Sequence, residues 1–318
     1  MNKISVVIAI ILFVCINLCT TPVCGQTKVT LDKKPHVESA KPTDEVAGST
    51  KYTEAEKLHY QNYIAEGYKA LLEDSLVKAQ DCFAQAVKLL PNHPSNAEVY
   101  FQMGQIAEER EQFLQASDYY KKSTRQNENM AKSYKRRGAV SIILKDYETA
   151  LREYAKYLQL KPKDHEARVF RGYCYQEMGR DGEALAEYQA VISQDPLNVN
   201  AIMALASLDH KRGNTDSAIR AMDDLVCRFP DDATYYEMRG AFEMDVRRYQ
   251  LAAYDFNKAV ELDPKNPSRY LKRAAMHFKT GDEALAEADL KKAEELGAPK
   301  AQVEGVIFKA NSDKRLRK

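Results

Sequence analysis

Residues 234–264, TYYEMRGAFEMDV-RRY-QLAAYDFNKAVELDP, hold the pattern that organises this chain. In the closing stretch Ala252, Phe256 and Ala259 stand at i, i+4 and i+7, the spacing that brings side chains to one face of an α-helix. The opening stretch carries a small residue, Gly240, in its middle. Two helices joined by a short turn are predicted. Pro264 ends the second, because proline cannot continue a helix. Alternation with period two, bounded by turn signals, is scarce after residue 50, so strands are not expected.

The same pattern beats along the chain. Alanine falls at 79, 116, 150, 184, 218, 252 and 286, with one step of 37 residues followed by five of 34. Twelve residues before each stands Gly67, Gly104, Gly138, Gly172, Ala206, Gly240 or Ala274, and four after it Phe83, Tyr120, Tyr154, Tyr188, Met222, Phe256 or Leu290. Small residues let two helix backbones approach, and the large one fills the space beside them. One such pair leaves an apolar face bare, so neighbours must stack to cover it. Pro91, Pro162, Pro196, Pro230 and Pro264 close the units, while Glu128 and Ala298 break that rule. The long first step places about three extra residues around Pro94–Asn96.

These residues resemble the tetratricopeptide repeat family, whose unit is a 34-residue helix–turn–helix. The resemblance covers roughly residues 60–300, as seven repeats starting near Tyr60, Ala97, Ala131, His165, Val199, Ala233 and Pro267. It implies an all-α chain, a right-handed α-solenoid of about seven helix–turn–helix repeats with a C-terminal capping helix. The family's early Trp is absent, replaced by Tyr63, Tyr100, Tyr134, Tyr236 and Tyr270 in five units. Ser123 and Glu128 stand where the family usually shows Ala and Pro, which predicts an irregular turn out of the second repeat.

In arrays of this family the first helix of each unit lines a concave groove. Carried onto this sequence, that implies Phe101, Phe170, Tyr173, Met203 and Met238 as apolar anchors for a partner. Lys132, Lys135 and Arg136 would give charge complementarity, with Gln105 and Lys272 beside them, and acidic Glu98, Glu108 and Glu109 flank the basic cluster. Such a mixture suits an extended peptide or a partner helix. Packing against neighbouring first helices is the competing reading for each of them. Some relatives clamp a peptide's terminal carboxylate. Lys132 and Arg136 match one part of that clamp, but Ile64, Tyr68 and Gln102 occupy its other positions, so a chaperone-tail clamp is not expected.

The ends change the picture. Lys3 followed by the apolar run Ile4–Cys19, with Val23 and Gly25 ahead of Gln26, predicts an export signal over 1–25. A retained anchor and a lipid-modified cysteine are alternatives; the run is short for a membrane span. Residues 26–52 are polar and aperiodic and predict a flexible linker, 53–300 the repeats, and 301–318 a capping helix with a basic tail. Thr53-Glu54-Ala55-Glu56 has the spacing of a capping box, and Val303, Val306, Ile307 and Ala310 share one face of the closing helix. The net charge is +1, and loss of 1–25 removes Lys3 and no acid, leaving formally zero. That balance argues against a nucleic-acid partner.

Catalytic chemistry is not visible. The six histidines are isolated, no CxxC or phosphate-binding loop occurs, and Cys82, Cys174 and Cys227 read as small buried or half-buried residues. No cofactor and no metal are expected. Arg137, Arg171, Arg239 and Arg273 precede the small residue in four repeats and are expected to pair with a neighbouring helix, Arg239 with Asp255. The sequence therefore predicts an exported, non-catalytic protein–protein interaction scaffold of the cell envelope, in the manner of a periplasmic adaptor. A self-assembling envelope component and a glycan-binding or cell-wall-binding module are the other readings.

Overall fold

The computed structural model describes residues 52–316, with side chains to Ser312. The expected signal (1–25), the expected linker apart from Tyr52, and the side chains of the basic tail lie outside the described residues. Among the described residues are fifteen α-helices and no strand. They form two compact units that divide after Arg180. The first holds α1 (Glu54–Leu72), α2 (Leu76–Leu89), α3 (Asn96–Glu109), α4 (Phe113–Gln126), α5 (Ala131–Ile143), α6 (Tyr147–Leu160) and α7 (His165–Glu177). The second holds α8 (Asp181–Gln194), α9 (Val199–Lys211), α10 (Thr215–Arg228), α11 (Ala233–Asp245), α12 (Tyr249–Leu262), α13 (Pro267–Thr280), α14 (Glu283–Glu295) and α15 (Lys300–Leu316). Within the first unit α1/α2, α3/α4 and α5/α6 are hairpins, each packed on the next, and α7 packs on α6. Within the second, α8 packs on α9, the pairs α9/α10, α11/α12 and α13/α14 are hairpins, and α15 covers the last. The fold class is an all-α repeat solenoid.

The alanine beat is the packing beat. All seven alanines have 0% of their surface exposed. A Cβ built on Gly67 would lie 2.5 Å from the Phe83 ring, one on Gly104 2.5 Å from the Tyr120 ring, and one on Gly138 2.9 Å from the Tyr154 ring. The small residue of the first helix is thus the seat of the large residue sixteen positions on, and the aromatic lies where any side chain would collide. Gly104→Ala should therefore destabilise by about 1–3 kcal/mol, although alanine is the better helix former. Gly182→Ala, with nothing within 4 Å of the added carbon, is the matched control that should not. Equal denaturant midpoints for the two variants would refute the close approach.

The turns inside the repeats share a device that the sequence hid. Asp74, Glu111, Lys145, Gly179, Gly213, Arg247 and Gly281 all have positive φ, between 57° and 90°. The next residue's N–H donates to the carbonyl five residues back, as from Gln112 to Ala107 and from Asp146 to Ser141, both at 2.8 Å. This closes the helix C-terminus in a Schellman motif. Four of the seven positions are not glycine, and a side chain there costs about 1–2 kcal/mol. Lys145→Gly is expected to stabilise the chain by about 0.5–1 kcal/mol after glycine's larger unfolded-state entropy is set against that relief, read as a rise in Tm.

The irregular places are resolved by polar side chains. Asn96, fully buried in the long step, donates to the carbonyls of Leu90 (2.6 Å) and Pro91 (3.0 Å) and accepts from the Tyr60 hydroxyl at 2.9 Å. Ser123, in place of alanine, donates to the Ala97 carbonyl at 2.6 Å and sits 2.7 Å from the Ser133 hydroxyl. At the start, Thr53 and Glu56 make both bonds of the expected capping box. At the end, Val303 is buried and Val306 packs on the last hairpin, but Ile307 is turned to solvent, contrary to its expected place on the covered face. Cys82 and Cys174 are buried as expected; Cys227 is exposed, which corrects that reading.

Candidate partner-binding surface

Within each unit the first helices of adjoining repeats are linked by long side chains that reach across. In residues 52–180 Lys132 of α5 places its Nζ 2.7 Å from the Glu98 carboxylate of α3 and 4.3 Å above the Phe101 ring. One turn on, Arg136 grips Glu108 with Nε at 3.0 Å and with Nη2, and the Tyr120 hydroxyl donates to the same carboxylate. Burial pushes the Glu108 carboxyl above its ordinary range, against the pull of Arg136 and the Tyr120 bond. Lys135 points the other way along the array, to Asp164 at 2.8 Å and Glu166 at 2.7 Å on the start of α7. Asp164 is also the N-cap of α7, accepting from the Ala167 N–H at 2.9 Å and from the Tyr157 hydroxyl at 2.6 Å. Burial alone would raise its carboxyl, but the bonds from Lys135, Tyr157 and Ala167 hold it below the ordinary value.

The same construction recurs in residues 181–316. Lys272 of α13 pairs with buried Glu237 of α11, which also accepts from Arg269 at 2.7 Å. Arg137, Arg239 and Arg273 make the pairs expected of them. Arg239 forks onto Asp255 at 2.9 and 2.6 Å and touches Asp223 at 2.8 Å; Arg273 forks onto Asp289 at 2.8 and 2.6 Å. In the first unit Arg137 pairs with Glu153. The links to Glu153, Asp255 and Asp289 join an arginine to a carboxylate sixteen residues later across its own hairpin, whereas Asp223 lies sixteen residues before Arg239, on the preceding repeat.

The ten residues expected to meet a partner are placed differently. Phe101, Gln105, Phe170, Tyr173, Met203 and Met238 are buried. Phe170 stacks on Tyr154 with ring centroids 5.7 Å apart and planes 16° apart, and Tyr173 meets the edge of Tyr147 at 6.2 Å. Lys135, Arg136 and Lys272 are largely covered and ion-paired to the adjoining repeat. Lys132, with 45% of its side chain exposed, keeps substantial access to solvent. The open apolar face that was expected is therefore closed by neighbouring helices. Glu98 and Glu108 do not flank a free basic cluster; they pair with Lys132 and Arg136, while Lys135 pairs with Asp164 and Glu166. Sequence reasoning missed Glu98, Glu108, Asp164, Glu166 and Glu237 as partners. Their signal is opposite charge at a separation of about one repeat, 28 to 35 residues.

The arrangement is a lattice of charge-assisted bonds between stacked helices, and among the described residues no three or more His, Cys, Asp or Glu gather as a metal site. No described helix is long and apolar enough to cross a membrane. Models of the Tetratricopeptide repeat match residues 97–130, 144–199 and 203–267. A tetratricopeptide repeat protein from Parabacteroides merdae has a TM-score of 0.71 and 22% identity, over 80% of this chain and 99% of that one. Yeast Tom70 has a TM-score of 0.56 and 17% identity, over 83% of this chain and 56% of that one. DnaJ homolog subfamily C member 3 from Gallus gallus is 21% identical over 174 residues, half of this chain, which spans about a third (34%) of that relative's length. The two structural likenesses concern the fold.

Proposed function

The chain is built of tetratricopeptide repeats, and from that premise we propose that it is a non-catalytic scaffold of the cell envelope that holds a partner protein as an extended peptide or helix. Proteins with these repeats generally mediate protein–protein interactions. The observation that supports the reading is the use made of the charges. Arg136, Lys135 and Lys272 each tie one repeat to the next, so the polar groups of the first helices keep a surface in shape. The partner contact falls on what the ties leave open, with Lys132, paired to Glu98 but 45% exposed, the basic candidate that keeps access to solvent. The envelope location rests on the apolar run of Ile4–Cys19.

The test is capture of envelope proteins on the chain lacking residues 1–25, followed by calorimetric titration of any purified partner. One saturable partner, weakened at least tenfold by Lys132→Glu in a variant with wild-type circular dichroism and melting, supports the scaffold reading at this face. A partner unaffected by Lys132→Glu moves the contact elsewhere on the repeats. Absence of any saturable protein partner refutes the scaffold reading.

A further inference from the structure

We propose that the chain docks on further copies of itself through the outward faces of its second helices, the basic face of one copy against the acidic face of another. The position nine residues after each repeat alanine is exposed in all seven repeats. In chain order it reads Lys88, Arg125, Gln159, Ser193, Cys227, Glu261 and Glu295. The charge at one outward register position thus changes sign from the beginning of the array to its end. Whole helices follow it. Leaving out the buried Glu153, Asp255 and Asp289, α2, α4 and α6 carry seven basic and three acidic residues in residues 52–180, and α8, α10, α12 and α14 carry five basic and eleven acidic in residues 181–316.

Both faces also expose large apolar side chains beside the charges. Val77 and Leu114 stand at the same register position on α2 and α4, and Leu251 and Leu285 at another on α12 and α14, with Tyr254 one turn from Leu251. Glu261 and Glu295 are bonded to Lys258 and Lys292 on their own helices, but such exposed pairs are weak and leave the acidic excess of these helices intact. Apolar residues rimmed by charge mark a contact surface, and opposite charge on a second surface of the same chain supplies its complement. Two different patches that fit each other make a head-to-tail contact, which propagates to chains or closes to rings. A second copy is the occupant that the sequence itself guarantees to carry the opposite face.

The experiment uses the chain lacking residues 1–25, with its mass followed by light scattering and sedimentation velocity as concentration rises. Association is expected at low salt and should fall at least tenfold at about 0.5 M salt, where screening acts within a few ångströms. At the shared register position, Lys88→Glu/Arg125→Glu makes both ends of the array acidic, and Glu261→Lys/Glu295→Lys makes both ends basic. Each variant, with its helix content and melting unchanged, should lose self-association. Mixing the two should restore it, because each then meets its complement. Wild type that stays monomeric at low salt overturns the proposal. So does association that both variants retain, or a mixture that stays as monomeric as its parts. The scaffold reading survives any of these outcomes, since it concerns a different protein on a different face.

Discussion

Ala252→Arg is expected to unfold the repeats around α12, at a cost of about 4 kcal/mol or more. Ala252 has no exposed surface, and its carbonyl lies 3.4 Å from where a Cβ on Gly240 would stand, so the backbones of α11 and α12 are almost in contact there. An arginine would need several side-chain carbons' worth of room in a close-packed seam, and its guanidinium would sit among Phe256, Met276 and Met244. Leu251→Arg supplies the control. Leu251 is adjacent on the same helix but 54% exposed, and the same arginine there should change stability by less than about 0.5 kcal/mol. Ala150→Arg repeats the test in the first unit, where Ala150 is equally buried. Denaturant melts of the three variants decide it. A wild-type melt for Ala252→Arg would overturn the hairpin packing.

The second large effect reverses what the sequence led us to expect. If Phe170 and Arg136 faced an open groove, Phe170→Ala and Arg136→Glu would be almost silent in stability, within about 1 kcal/mol. The structure assigns about 3–5 kcal/mol to each. Phe170 is buried and stacked on Tyr154, so truncation leaves a cavity between α6 and α7. Arg136 neutralises Glu108, whose side chain is 5% exposed, and a carboxylate in its place would confront the one it used to pair. Shifts in the denaturant midpoint at constant slope measure both costs. Midpoints unchanged in both variants would return these residues to an open surface.

The contrast shows what a repeat sequence makes legible. The small residue, the alanine and the large residue answer to contacts inside one hairpin, so their spacing is written within 34 residues and recurs in every unit. Arg239 with Asp255 is legible for the same reason, since its sixteen-residue separation returns as Arg273 with Asp289. Lys132 with Glu98 is a contact between repeats, and the register position they share carries Asn200, Thr234 and Ser268 in the later units. Side chains that looked free to receive a ligand were free only within their own unit. The left-handed turn residues Asp74, Glu111, Lys145 and Arg247 were hidden differently, because the expected glycine is missing from them. The steric cost of a side chain remains at those positions, and the turn-closing backbone bonds hold the conformation against it.

The links between repeats also bear on how the chain avoids assembling itself in the wrong order. The alanine seam is nearly the same in every hairpin and acts inside it, so it gives a repeat no means of telling one neighbour from another. The bridges are not interchangeable. Lys135 needs the two acids at the head of α7, Arg136 needs Glu108, and Lys272 needs Glu237. A skipped or shuffled neighbour would bury these charges without their mates, and that penalty discriminates among partners that hydrophobic packing treats alike. The seam closes every hairpin alike, and the bridges act as an address system that tells each repeat which neighbour is its own.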